Sequence, residues 1–225
     1  MVLGVKVRLT KHELVGRNVG LRPLYLAREV ADTAGVALMV HPQGAWASSL
    51  DHVIDVLHAG DILMHTYHGH EHGILEQEGR LRASVRAARD RGVAFDVGHG
   101  EGSFDWNVCE RALQQGFAPT TISSDLHKYN IGGPVHDLVT TMSKFLLLGV
   151  PLTDVIRMVT ADPARLIGHA GHLGTLDVGA AGDAVVLDVQ DGRFGLADSA
   201  GVVRYGERRL VPTSVVKAGV VHRSS

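Results

Sequence analysis

Gly-Val-Ala-Leu-Met-Val-His at residues 35–41 and Asp-Ile-Leu-Met-His at 61–65 decide the fold, because each is a short apolar run that stops at a side chain able to bind a metal. Such a run, bounded by Gly or a polar residue, reads as a buried strand. Two further runs end the same way: Val-Ala-Phe-Asp-Val-Gly at 93–98 stops at His99, and Thr-Ile-Ser-Ser at 121–124 stops at Asp125. All four would then stand at the carboxyl ends of strands. That is where (β/α) barrels keep their chemistry.

Outward from these runs, strand and helix patterns alternate. Strands are expected at 5–9, 36–40, 62–65, 93–97 and 120–124, and helices at 20–35, 49–58, about 80–91, 106–115, 135–148 and from 153 onward. Leu24, Ala27, Val30 and Ala31 recur at helical spacing, and Pro23 lies near a helix start, where its missing N–H costs little. Strands separated by helices imply crossover connections and a parallel sheet, hence an α/β fold. After residue 168 the chain becomes rich in Gly and in short β-type runs, which reads as an antiparallel β-module. The expected division is a barrel-type unit over 1–168 and a β-module over 169–225.

Composition bounds the function. With 225 residues, 45% of them hydrophobic and 20% charged, the chain can bury a substantial core. A net charge of −2 gives no electrostatic reason to expect nucleic acid or an anionic membrane as partner, so a small molecule is the natural substrate. Cys109 is the single cysteine and has no intrachain disulfide partner; with no signal-type start and no run of about 20 apolar residues, the cytoplasm is the expected compartment.

Each strand-end residue has a plain reading beside its chemical one. A lone His after an apolar run is commonly a hydrogen-bonded core or loop residue, but His41 and His65 in register on successive strands point into one mouth, with His68 as a substrate-side neighbour. His70 and His72 lie further along the loop and read as solvated. His99 sits in Gly-His-Gly-Glu-Gly-Ser-Phe at 98–104, where glycines suggest close backbone approach to a ligand; His99 and Ser103 read as substrate-binding. Lys6, the long amine in Val-Lys-Val-Arg-Leu at 5–9, is either a snorkelling surface lysine or a desolvated amine that takes up CO₂ as a carbamate able to bridge two metals. Asp125 is either a turn or N-cap aspartate or a carboxylate that relays a proton beside a metal ion. Imidazole and carboxylate together suit Zn²⁺ and related divalent ions.

The ordered set of Lys6 in Gly-Val-Lys-Val-Arg, His41, His65 in Leu-Met-His-Thr-Tyr-His-Gly, Phe-Asp-Val-Gly-His-Gly at 95–100 and Ser-Ser-Asp-Leu-His at 123–127 resembles the amidohydrolase superfamily, near its deacetylase-type and dihydroorotase-type metallohydrolases. Thr-Ala-Asp-Pro-Ala-Arg-Leu-Ile-Gly at 160–168 and the Gly-rich tail resemble that family's last barrel helix and returning β-sandwich. The resemblance implies a TIM-type (β/α)₈ barrel represented by about its strands four to eight, with a small C-terminal β-sandwich module. It implies a carbamylated Lys6 bridging two divalent ions such as Zn²⁺, with His41 and His65 on the more exposed ion. Asp125 becomes a ligand of the buried ion and the proton shuttle, and His99 a residue near the substrate.

The chain departs from the family pattern in lacking a His-x-His pair ahead of Lys6. A barrel begun at its fourth strand exposes two sheet edges, so a second copy or a complementing N-terminal segment is expected to cover them. The expected activity is hydrolysis of an amide or ester bond in a small acylated compound, doubtful for this portion alone. The rivals are a cyclic-amide hydrolase of dihydroorotase type, a catalytically silent truncated remnant, and a metal-free Schiff-base enzyme using Lys6.

Overall fold

The computed structural model of the chain describes residues 2–9, 20–42 and 49–223. In its first part β1 (Gly4–Arg8), α1 (Arg22–Ala34), β2 (Ala37–His41), α2 (Leu50–Ile54), β3 (Ile62–Leu63), α3 (Ala83–Asp90), β4 (Ala94–Phe95) and α4 (Trp106–Gln114) alternate as the sequence predicts. The four strands form one parallel sheet in the order β1-β2-β3-β4, with Lys6 opposite Met39, Arg8 opposite His41, and Leu63 between Val40 and Phe95. Parallel pairing in sequence order carries every strand's carboxyl end to the same edge of the sheet.

Local chemistry sets the element ends. Pro23 stands in the first turn of α1, and Gly35 closes that helix at φ 64°, a left-handed position that glycine takes without steric penalty. Leu24, Ala27 and Ala31 form its buried stripe. The side chain of Asp105 caps α4 by accepting from the N–H groups of Asn107 and Val108. At the edge of the sheet remote from the site, the buried Asp61 accepts from the N–H groups of Leu38 and His58, each at 2.7 Å, and pairs with Arg28.

The fifth predicted strand is replaced by an extended segment with a single parallel bridge between Asp96 and Thr121. One polar side chain takes a ladder position, Thr120 Oγ1 accepting from Phe95 N, and the Thr121 and Ser123 hydroxyls donate to the Asp96 carboxylate. The segment still lies beside β4, because the N–H groups of Val97, His99 and Gly100 donate to Thr121, Ser123 and Ser124. The helix expected from residue 153 is two helices, α6 (Leu152–Val159) and α7 (Ala161–Leu166), joined at Thr160. Pro163 explains the break, since its ring would clash with the carbonyl four residues back in a continuous helix. The helix expected from 135 starts at Leu138 as α5 (Leu138–Leu147), capped by Asp137.

The tail consists of β5 (Ala184–Ala197), β6 (Val203–Lys217) and β7 (Val220–Arg223), one antiparallel sheet in sequence order. Leu196 and Leu210 enter the same hydrophobic core as Leu38, Val40, Phe95 and Phe145. The Ser143 hydroxyl on α5 accepts from Leu210 N at 3.0 Å. Val185, Val186, Val215, Val220 and Val221 are exposed, and among the described residues the chain forms no second antiparallel sheet.

Candidate active site

β2 ends at His41, and His65 follows two residues after β3, so two imidazoles meet above the sheet. His65 Nε2 lies 2.8 Å from His41 Nδ1, and the Asp125 carboxylate oxygen Oδ2 lies 3.9 Å from His65 Nε2. His65 Nδ1 donates to the Gly98 carbonyl at 2.5 Å, which fixes the tautomer and turns the Nε2 lone pair into the cluster. His65 and Asp125 both hold left-handed backbone, with φ of 57° and 45°. Such conformations cost roughly 1–3 kcal/mol for residues other than glycine and concentrate at functional sites.

Two glycines make the approach possible. A Cβ on Gly98 would stand 3.0 Å from His65 Nδ1, and one on Gly100 would stand 3.1 Å from Asp125 Oδ2 and 3.5 Å from Ser103 Oγ. Asp125 and the buried Ser103 therefore converge over the Gly98–Gly100 backbone. Asn130 holds the other side of the Asp125 loop: fully buried, it donates from Nδ2 to the Asp125 carbonyl at 3.0 Å and accepts at Oδ1 from His127 N.

Burial keeps the histidines neutral. Desolvation, followed by the charges of His65, Arg8 and Lys6, lowers His41 to about 3. Desolvation likewise lowers His65 to about 4, against the opposing Gly98 hydrogen bond and Asp125 charge. His68 is lowered to about 3, chiefly by burial and then by its neighbours His70 and His65. A neutral imidazole presents a lone pair, the state a divalent ion requires.

Lys6 occupies the same side of the site, near enough for its charge to act on both His41 and His65. It is exposed, the surface alternative of its two readings: among the described residues β1 pairs only with β2, and Gly4, Lys6 and Arg8 are all exposed. His99 also differs from expectation. It is fully buried, with Nδ1 donating to the Gly100 carbonyl at 2.8 Å and Nε2 accepting from Lys144 at 2.7 Å, so neither ring nitrogen is presented to a substrate. His70 and His72 are exposed, as read. Asp96, Asn130 and Lys144 were not singled out from the sequence. Asp96 left a signal, a carboxylate inside an apolar strand; Asn130 and Lys144 acquire their roles only through partners distant in space.

The donor chemistry fits a divalent ion in part. The pair His41 and His65 offers neutral nitrogens at one point with a carboxylate beside them, although among the described residues no group of three His, Cys, Asp or Glu side chains is already disposed around a common centre.

Comparison with known proteins decides the family: the amidohydrolase family model matches residues 18–221. The chain belongs to the amidohydrolase family. This amidohydrolase is 34% identical over 224 residues to a deacetylase of Enterococcus faecalis, covering 98% of the chain and 60% of the relative. It is 35% identical over 216 residues to deacetylase Atu3266 of Agrobacterium fabrum, covering 96% of the chain and 52% of the relative. The crystal structure of an adenine deaminase superposes over 100% of the chain and 61% of its own, with a TM-score of 0.93 and 33% identity. That of a dihydroorotase superposes over 100% and 57%, with a TM-score of 0.86 and 32% identity. This amidohydrolase thus spans between 52% and 61% of the length of these relatives.

The buried neutral histidines make the family member acid-sensitive. His68 and His99 are both held near 3, below the roughly 6.5 of an unfolded histidine, so the unfolded chain binds their protons first. Their contribution is complete above about pH 6.5 and is lost as pH falls toward 3, at roughly 2 kcal/mol per histidine between pH 7 and 5. Urea unfolding across that interval should show a falling midpoint. A level profile would contradict burial in the neutral form.

Proposed function

We propose that the chain is the carboxyl-terminal portion of a metal-dependent hydrolase that cleaves an amide or ester bond in a small acylated compound. The observation that carries this reading is the meeting of His41, His65 and Asp125 at one strand-end point, with two neutral imidazoles 2.8 Å apart. The deacetylase names of the two relatives and the family match support it. In this reading the parallel sheet is part of a (β/α)₈ barrel, about strands four to eight, and the valine-rich tail sheet is one layer of a β-sandwich.

His41 and His65 would hold a divalent ion such as Zn²⁺, with Lys6 as its carbamate and Asp125 completing the set. Bound there, the ion would supply Lewis-acid polarisation of the substrate carbonyl and activation of water. Asp125 accepts the proton of the attacking water at its carboxylate and returns it to the departing nitrogen or oxygen. Gly98 keeps His65 in one tautomer through the proton on Nδ1. Ser103, beside Asp125 over Gly100, and His68 would face the acyl compound. The open face of β1 calls for a covering partner, either a second copy or a complementing polypeptide. The buried thiol of Cys109 suits a reducing cytoplasm.

A second reading, hydrolysis of a cyclic amide, has one specific support: the likeness to the dihydroorotase at 32% identity. Both are tested by loading the chain with Co²⁺ and assaying acyl amino acids, acyl hydroxy acids and cyclic imides. Turnover of one class, together with a cobalt absorption band that disappears in the double variant His41→Ala and His65→Ala, is the expected result. Turnover confined to cyclic imides would select the second reading. No turnover, with the same cobalt spectrum in the double variant, would remove both.

A further inference from the structure

Lys144 is a buried cation whose burial the proposed chemistry leaves unexplained. It lies on α5 within the apolar helix face of Met142 and Phe145 and is fully buried. A buried ammonium is strongly disfavoured unless every N–H finds an acceptor. Here all three do: Nζ donates to His99 Nε2 at 2.7 Å, to the Pro134 carbonyl at 2.9 Å and to the Ala197 carbonyl at 2.7 Å. The three acceptors come from three separate stretches of chain, namely the loop after β4, the loop between Asp125 and α5, and the end of β5.

The His99 ring is held from every side. It stacks on Phe104 with centroids 4.7 Å apart and planes 17° from parallel, and Lys144 Nζ stands 5.7 Å from that same phenyl ring. Because a carbonyl only accepts, the Gly100 contact places the proton on His99 Nδ1 and leaves Nε2 as the acceptor for Lys144. His99 is joined through the peptide chain to Gly98, whose carbonyl orients His65, and to Gly100, which packs on Asp125. A shift of the His99 ring would therefore be passed to both sides of the candidate site.

We propose that Lys144 is a positioning residue, whose three hydrogen bonds lock His99 in one orientation and tie the Asp125 loop and the tail sheet into a single rim. The geometry stands on its own; its consequence for turnover rests on the hydrolase reading above. Besides its bond to His99, the ammonium feels the carboxylate of Asp198, which opposes the effect of burial. Burial nevertheless brings Lys144 down to about 7, so the three-donor form and a two-donor amine exchange near neutral pH. Asp198 is itself fixed by the N–H groups of Ala200 and Val202.

The test reads the His99 ring directly, by ¹⁵N NMR of the histidine-labelled full chain. In the unaltered protein Nδ1 should resonate as the protonated nitrogen and Nε2 as a hydrogen-bonded acceptor, and the ring should stay neutral down to the acid unfolding range. In Lys144→Met the Nε2 signal should move downfield as its donor is lost, and the ring should protonate at higher pH because the lysine charge and hydrogen bond are gone. Ser143→Ala, which breaks the neighbouring tie to β6 without touching His99, should destabilise the chain but leave those resonances in place. If Lys144→Met does not fold, the Lys144 Nζ signal of the unaltered protein is titrated instead, and His99 Nε2 should move with the same midpoint. A His99 ring indifferent to Lys144, in the folded variant or in that titration, would overturn the proposal. With His99 changed as expected, kcat should fall about tenfold while KM changes little; absence of any turnover in the unaltered chain would count against the hydrolase and leave the NMR result intact.

Discussion

Asp125→Asn should lower kcat by about 10²–10⁴-fold, the span that a single proton-transfer group supplies. The amide has the shape of the carboxylate but can neither accept the proton of the attacking water nor return it to the leaving group. Stability should change by only about 0.5 kcal/mol, because the amide is isosteric with the carboxylate and the side chain is not deeply buried. The side chain is 38% exposed, and asparagine tolerates the φ of 45° that Asp125 adopts. Steady-state kinetics beside a urea melt separates the two effects. Turnover within a few-fold of the unaltered chain would remove Asp125 from the chemistry, whatever its position.

Gly98→Ala should be the most damaging single methyl in the site. The residue sits at φ 46°, and the added Cβ would meet His65 Nδ1 at 3.0 Å, His65 N at 3.1 Å and Met64 Cε at 3.2 Å. Left-handed backbone costs an alanine about 1–2 kcal/mol, and overpacking a full core adds about 1–3 kcal/mol. The expected loss is roughly 2–5 kcal/mol, with His65 pushed off the carbonyl that orients it. Gly116→Ala is the control, since it shares the left-handed backbone at φ 73° but would meet nothing within 4 Å. If the two variants melt alike and retain equal cobalt affinity, contact with His65 is not what Gly98 avoids.

The alternation of apolar strands with amphipathic helices was legible because each period follows from local geometry: 36–40 and 62–65 are too short and too uniformly apolar for surface helices. The placement of His41 and His65 at or just after strand ends was legible for the same reason, while Asp125 follows an extended segment beside β4. The fifth strand forms only as an extended segment, since Thr120 Oγ1 takes the Phe95 N–H and Ile122 N donates to Met158 instead of to β4, partners that no local pattern shows. Spacing alone leaves Lys6 open between a surface lysine and a desolvated amine, because solvation depends on what covers a strand's face; the structure places it exposed. Lys144, in Ser-Lys-Phe at 143–145, resembles any lysine that interrupts a helical stripe. Its three acceptors lie 10, 45 and 53 residues away in the chain.

By itself the sequence determined the α/β alternation, the parallel kind of sheet and the end of the sheet at which His41 and His65 stand, all of which follow from periodicity and turn chemistry acting over a few residues. Only tertiary structure decided that His99 faces inward onto Lys144, that Lys6 stands in solvent, and that Gly98 and Gly100 clear the ground for His65 and Asp125. Hydrogen-bond partners, burial and close approach are properties of segments far apart in the chain, and they exist only once those segments pack.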